Sequence, residues 1–271
     1  MSRYLFDNSA VQTIDRFTVL ESCYDQFSRQ QLARAGLTAE WRCLEVGGGN
    51  ASLADWMGER VGPGGQVTVT DLDPRWASST RRPPHVRLLR HDIVHDPMPG
   101  QDYDLVHARL VLLHLPERLQ VLQRLVGALR PGGWLVLEEF DCGWTPVLAA
   151  SAEAEVLFHR VHTALMGLLA EAGADPLWGR RVLAAMMSVR LSDVTATTYA
   201  EAWRGGSTGI SLHRSNTDQV ADRLTQAGIT DEELSAFRHL LTDPAFVVNS
   251  YPLISVRGRR PSENDGQEGI R

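Results

Sequence analysis

The chain has 271 residues, of which 43% are hydrophobic and 22% charged, with a formal net charge of -6. That is enough for one sizeable core plus a lid, ordinary for a soluble globular protein, and the wrong sign for one that grips a phosphate backbone. Every basic side chain other than histidine is arginine, so a P-loop lysine, a kinase strand lysine and a Schiff-base lysine are all excluded.

Cys23, Cys43 and Cys142 are scattered, with no Cys-x-x-Cys pair, which argues against a disulfide framework or a thiolate zinc site. No stretch has the apolar length of a signal-peptide core or a bilayer span, so a cytoplasmic chain is expected. Residues 1 to about 36 read as helical, with Val11, Ile14, Phe17, Leu20, Tyr24 and Phe27 recurring at spacings of three and four. These aromatics are expected to face a core, while Tyr4 and Phe6, ahead of the helix, are candidates to line a pocket.

The stretch from Trp41 to Met57 organises the rest of the chain. Cys43, Leu44 and Val46 suit a buried parallel strand that also carries Glu45. Gly47, Gly48 and Gly49 allow a tight turn, and Leu53, Ala54, Trp56 and Met57 begin an amphipathic helix. Without Cβ atoms in the turn a ligand can lie against backbone, and free amides opening a helix favour polar or anionic groups. Such turns also occur as plain structure in many α/β proteins, so the glycines alone leave that reading open.

Val61 to Gly65 is a breaker cluster, and Gln66 to Thr70 forms a second strand ending in Asp71. Asp71 stands 24 residues beyond Gly47, near the spacing at which a carboxylate reaches ribose hydroxyls. Asp73 competes, but before Pro74 it is better suited to opening the next helix. A third strand runs from His85 to Arg90, followed by Asp92 and Ile93. The fourth, Asp102 to Arg109, leads into His107 and Arg109, with His114 just beyond it. Pro116 then starts an amphipathic helix with Leu119, Leu122, Leu125, Val126 and Leu129 on its buried side, and Trp134 to Phe140 is a fifth strand after Pro131-Gly132-Gly133.

The spacing Glu45-x-Gly47-x-Gly49-x-Ala51 resembles the first motif of class I S-adenosylmethionine (SAM) methyltransferases, and differs from the dinucleotide pattern G-x-G-x-x-G, whose last place holds Ser52. Asp71, Asp92 and the Leu129-to-Glu139 turn and strand follow in the family's order, and Tyr103 to Arg109 is similar to its fourth motif. The resemblance implies a Rossmann-like α/β fold: a seven-stranded, mostly parallel sheet with an antiparallel seventh strand between strands 5 and 6. It implies SAM as cofactor and S-adenosylhomocysteine as product. Its cofactor residues would be Glu45, Gly47, Gly48, Gly49, Asp71 with Leu72, and Asp92 with Ile93 at the adenine, although Asp92 also suits a plain turn. His107 and Arg109 would hold the cofactor or shape the pocket. N-terminal helices in this family often cover the substrate.

Beyond Asp141 the chain departs from a minimal member. Helices are expected over Ser151 to Ala172 and Asp175 to Met187, as a lid inserted at about 145–188 that roofs the acceptor. A sixth strand is expected at Leu191 to Tyr199 and a seventh at Phe246 to Arg257. The organisation so read is a cap over 1–36, a catalytic domain over 37–257 and a disordered tail over 258–271. His114 is the first candidate for a general base, although in the family a histidine here is frequently structural or touches SAM. Asp141 could orient the acceptor or cap a loop. His159 and His162, at helical spacing with Glu155, are candidates for the substrate pocket; without a further ligand nearby they do not make a metal site.

The helical cap, the fourth strand and the insertion look like methyltransferases of actinobacterial secondary metabolism. The expected reaction is methyl transfer to oxygen, nitrogen or carbon of a small molecule, with no nucleic acid or membrane partner and with a homodimer left open. Rival readings on the same scaffold are a SAM-assisted cyclisation or rearrangement and a catalytically silent binding subunit. A nicotinamide dehydrogenase fits less well, given the glycine spacing.

Overall fold

In the computed structural model, residue 5, residues 12 to 79 and residues 81 to 262 are described. The first strand, β1 (Arg42–Val46), follows the long helix α1 (Gln12–Arg34) and is buried from Cys43 onward. Its apolar run lets it sit centrally in a sheet covered on both faces. It feeds α2 (Ser52–Val61), β2 (Gln66–Asp71) and β3 (Val86–Arg90), then β4 (Tyr103–Arg109), α3 (Arg118–Ala128) and β5 (Leu129–Phe140). Parallel pairing joins β1 to β2, β2 to β3, β1 to β4 and β4 to β5.

The second half adds β6 (Val147–Ala149), α4 (Ala152–Glu171), α5 (Val182–Ser188), β7 (Ser192–Tyr199) and β8 (Ala202–Arg204). It continues with α6 (Ser211–Gln219), α7 (Ala221–Gln226), α8 (Asp231–Leu240), β9 (Val247–Asn249) and β10 (Leu253–Arg259). The main sheet has seven strands in the order β3-β2-β1-β4-β5-β10-β7. β10 lies antiparallel between β5 and β7, with Leu253 opposite Phe140 and Arg259 opposite Trp134. This is the sheet the sequence implied. A small second sheet, β6-β9-β8, stands apart from it.

Several expected elements come out differently. The expected helix over Asp175 to Met187 is mostly a turn: Asp175 bonds the Leu177 amide and pairs with Arg181, Trp178–Arg180 is a 3-10 turn, and only α5 is helical. The expected strand from Phe246 to Arg257 is two strands, β9 and β10, broken at Ser250 to Pro252. The stripe on α3 is Val121, Leu122, Leu125 and Ala128, leaving Leu119 exposed, while Leu129 is already extended and opens β5. Gly258 and Arg259, placed in the expected tail, belong to β10, and Arg260 exchanges backbone bonds with Gly132 and Gly133. Helices α6 to α8 had no counterpart in the sequence reading.

One core cluster packs α1 against α4, α6 and α8 above the sheet, around Tyr24, Phe158, Phe237 and Tyr251. Two others fill the faces of the sheet beside α2 and α3. The second half of the chain therefore forms a helical roof over the carboxyl ends of β1, β4 and β5.

Candidate functional site

A cavity of about 720 Å³ opens at those carboxyl ends. Its floor is the glycine turn after β1 together with the tips of β2, β4 and β5; its roof is α1, α4 and α6. In an open α/β sheet this is where strand order reverses and where ligands collect.

The glycine turn is built by contact as much as by conformation. A Cβ on Gly47 would lie 2.4 Å from Val111 Cγ2, and one on Gly48 2.3 Å from Val69 Cγ1. Both amides donate to the Thr70 carbonyl, at 2.8 and 3.0 Å, which draws the turn onto the tip of β2. The Gly49 amide then donates to Asp71 Oδ2 at 3.0 Å, while the Asp73 amide donates to Asp71 Oδ1 at 2.9 Å. Asp71 is thus a fixed carboxylate at the cavity wall, and burial raises its pKa despite those donors. The Asp73 side chain instead pairs with Arg75, and Asp73 does not line the cavity.

Beyond β3, Asp92 and Ile93 reach the cavity beside Leu72. Asp92 accepts from the Val94 amide at 2.9 Å and lies 2.9 Å from His95 Nδ1; burial opposes its ionisation, but these donors outweigh it and hold its pKa low. Asp92 therefore caps this turn and also lines the cavity.

His107 is corrected. It does not line the cavity but lies fully buried beneath it, with Nδ1 2.6 Å from Glu45 Oε2 and Nε2 3.4 Å from Glu138 Oε2. Burial alone would lower its pKa; the two carboxylates override that and raise it to about 9, so it is an imidazolium at neutral pH. Glu138 is held low by His107, Arg109 and Ser28, against its own burial. The chain of contacts continues from Glu138 to the Ser28 hydroxyl, from Ser28 to Arg109 at 3.0 Å, and from Arg109 to Asp25 at 2.9 Å. Arg109 does line the cavity, but its guanidinium is committed to α1.

At the other end, His114 lines the cavity from the 3-10 turn Leu112–His114. Burial, then Arg16 and Arg118, lower its pKa to about 3, so it stays neutral and makes a weak proton store. Glu139 anchors that turn, accepting the Leu112 amide at 2.9 Å and the Leu113 amide at 3.3 Å. Its carboxyl is fully buried and pushed up to about 8.

Three further candidates lie elsewhere. Asp141 is locked in a two-pronged pair with Arg180, at 2.7 and 2.9 Å, and caps the Gly143 amide, which is the loop-capping alternative. His159 is on the outer surface of α4, 3.8 Å from Glu155. His162 is buried, stacked on Phe158 and bonded to the Cys142 carbonyl at 2.9 Å, so it supports the roof from behind. No group of three or more His, Cys, Asp or Glu suited to a metal occurs among the described residues. Tyr4 and Phe6 lie outside the described residues.

The sequence reading missed Glu21, Met166, Leu212, Asn216 and Tyr251, which all line the cavity. It also missed Glu138 and Glu139 as a pair, although adjacent acids in an otherwise apolar strand were a visible signal.

Residues 44–135 match the family model "Methyltransferase domain". A methyltransferase of the fungus Strobilurus tenacellus is 28% identical over 166 residues, covering 61% of this chain and 58% of the relative. The ubiquinone/menaquinone biosynthesis C-methyltransferase of Laribacter hongkongensis is 30% identical over 125 residues, 43% of this chain and 50% of the relative. The chain thus spans about half the length of the curated relatives it matches, and these are not actinobacterial. A solved Bacillus halodurans structure described as a candidate methyltransferase superposes with a TM-score of 0.56 at 15% identity, over 86% of this chain and 98% of that one. The YcgJ protein of Bacillus subtilis gives 0.53 at 14%, over 86% and 97%. The strand order β3-β2-β1-β4-β5-β10-β7, with its glycine turn at the tip of β1, gives the chain a Rossmann-like methyltransferase fold, and residues 44–135 carry the likeness to a methyltransferase domain.

Proposed function

We propose that the protein transfers a methyl group from SAM to oxygen, nitrogen or carbon of a small, mainly apolar acceptor, releasing S-adenosylhomocysteine, in secondary metabolism. The observation that carries this reading is the continuity of one cavity from the acid-tipped strands of β1 to β3 to an apolar roof on α4 and α6. SAM supplies an electrophilic methyl group on a sulfonium. The residues lining the cavity fit it: Asp71 would accept from ribose hydroxyls, Asp92 and Ile93 would meet adenine beside Leu72, and the turn Gly47 to Gly49 offers bare backbone.

The chain's own residues have to supply placement and exclusion of water. Phe17 covers Gly49, with its ring 3.5 Å from where a Cβ would stand, so α1 shuts the cofactor end. Arg109 holds α1 down through Asp25 and Ser28. His114, neutral, walls the meeting point of the two halves and can give or take one hydrogen bond. The likeness to a ubiquinone/menaquinone biosynthesis C-methyltransferase supports a small organic acceptor.

Calorimetry with SAM, followed by assay of S-adenosylhomocysteine release from candidate acceptors, tests the proposal. SAM should bind, and Asp71→Ala should weaken binding by about ten- to a hundredfold, the worth of one or two charge-assisted hydrogen bonds. No heat and no thermal shift with SAM would refute it. Acceptor turnover without S-adenosylhomocysteine would point instead to rearrangement on this scaffold.

A further inference from the structure

The acceptor end of the cavity has an uneven chemistry. Its walls from β5 and the loop after it, α4 and α6 are Phe140, Cys142, Met166, Leu169 and Leu212, all apolar or weakly polar. Against them stands one polar patch. Tyr251, between β9 and β10, and Asn216, on α6, both line the cavity, with Asn216 near enough to the Tyr251 phenol to favour its ionised form slightly against burial. The Tyr251 hydroxyl is also 3.1 Å from His213 Nδ1.

Nothing about this patch is loose. Tyr251 is 2% exposed, its ring centroid lies 4.8 Å from that of His213 and 5.3 Å from that of Phe140, and the Tyr24 hydroxyl donates to its carbonyl at 3.0 Å. His213 is 1% exposed, enclosed by Phe158 and Trp203, and its Nε2 has no hydrogen-bond partner among the described residues. Such an imidazole is neutral, so it can orient the phenol but cannot keep it ionised. Burial keeps the Tyr251 phenol protonated as well. A neutral, rigidly placed O–H beside an amide, in an otherwise apolar wall, suits a neutral oxygen function. A carboxylate or ammonium would have to shed its water there with no opposite charge on that wall among the described residues.

We propose, resting on the methyltransferase reading, that Tyr251 and Asn216 are the acceptor-reading pair. The acceptor would be an uncharged molecule with an apolar, ring-sized body and one hydroxyl or carbonyl oxygen bound at Tyr251, with His213 as a positioning residue behind it. A cation near this end, Arg16, lies on α1 beside His114. It is the natural reader if the acceptor is instead an anion, and the test separates the two.

The full chain, saturated with S-adenosylhomocysteine, is titrated with 1-naphthol, 1-acetonaphthone, naphthalene and 1-naphthoate, following probe fluorescence or heat. The expected order places 1-naphthol and 1-acetonaphthone roughly tenfold tighter than naphthalene, the worth of one buried hydrogen bond, and 1-naphthoate weakest. Tyr251→Phe, which keeps the ring, should erase the gap to naphthalene while leaving affinity for S-adenosylhomocysteine unchanged. Asn216→Leu is the second variant and should reduce the same gap. Tightest binding by 1-naphthoate, an unchanged gap in both variants, or equal binding of all four probes overturns the proposal. A chain that fails to bind S-adenosylhomocysteine at all refutes the methyltransferase reading first, and this one with it.

Discussion

Glu138 and Glu139 are neighbours on β5 that point to opposite faces of the sheet, as successive strand residues must. Each is fully buried, yet they do different work. Glu138 meets His107 and Ser28 and is an anion; Glu139 accepts N–H donors of the Leu112–His114 turn, and burial pushes it up to about 8. Removing the first leaves His107 a buried cation with one partner fewer, so Glu138→Ala should cost about 3–5 kcal/mol of unfolding free energy in urea titration. Glu139→Gln keeps a carbonyl acceptor for Leu112 and should cost far less. The same pair shows what could be read at this scale. Gly47, Gly48, Asp71 and Asp92 were legible because a motif fixes their spacing and strand ends aim them at one place. His107 was not, because its partners are set by register. Glu45 sits opposite it across β1 and β4, and Glu138 comes from the next strand.

Among the elements, α1 carries the most consequence for function. It packs on α6 and α2, puts Phe17 over the glycine turn, and is pinned by Asp25 and Ser28 to Arg109. Arg109→Ala should release it. Hydrogen exchange of the α1 amides should then quicken by about tenfold or more, while the β1 and β4 amides stay protected. The periodicity of α1 and α4 made both visible in the sequence, and the breaker at Val61 to Gly65 marked the end of α2. α6, α7 and α8 were overlooked because each spans 10 residues or fewer, and α6 and α7 follow one another without a glycine or proline between them. Helices this short draw their stability from packing, here of Leu212, Leu224 and Phe237 on the roof core, more than from their own sequence. Asp175-Pro176 shows the opposite failure. The apolar pattern looked helical, but an aspartate that captures the next turn's amide and pairs with Arg181 won locally.

For the molecule as a whole, the buried titrating groups set a stability profile that can be measured directly. His114 and His213 have pKa values lowered from 6.5 to about 3 by burial, so they are neutral when folded and bind protons on unfolding. They make the fold lose stability as pH falls from 6.5 toward 3. His107, raised from 6.5 to about 9, and Glu139, raised from 4.5 to about 8, hold protons in the folded state that the unfolded chain gives up. Their contribution is complete below the unfolded values and fades as pH climbs toward 9 and 8 respectively. The two acid-side histidines outweigh Glu139 below pH 6.5, and above it His107 and Glu139 act together. The melting temperature should therefore peak at roughly pH 6.5 and fall on both sides, by about 2–4 °C for each kcal/mol lost in a chain of this size. Glu139→Gln should flatten the alkaline limb between roughly pH 6.5 and 8 and steepen the acid limb between about 4.5 and 6.5, where Glu139 no longer opposes the two histidines. His213→Phe should flatten the acid limb alone, because the phenyl ring fills the same aromatic pocket with nothing to protonate. A Glu139→Gln alkaline limb as steep as that of the parent would show that the carboxyl beneath the Leu112–His114 turn is ionised in the fold, and a missing acid limb would show that His114 and His213 are not held neutral by burial.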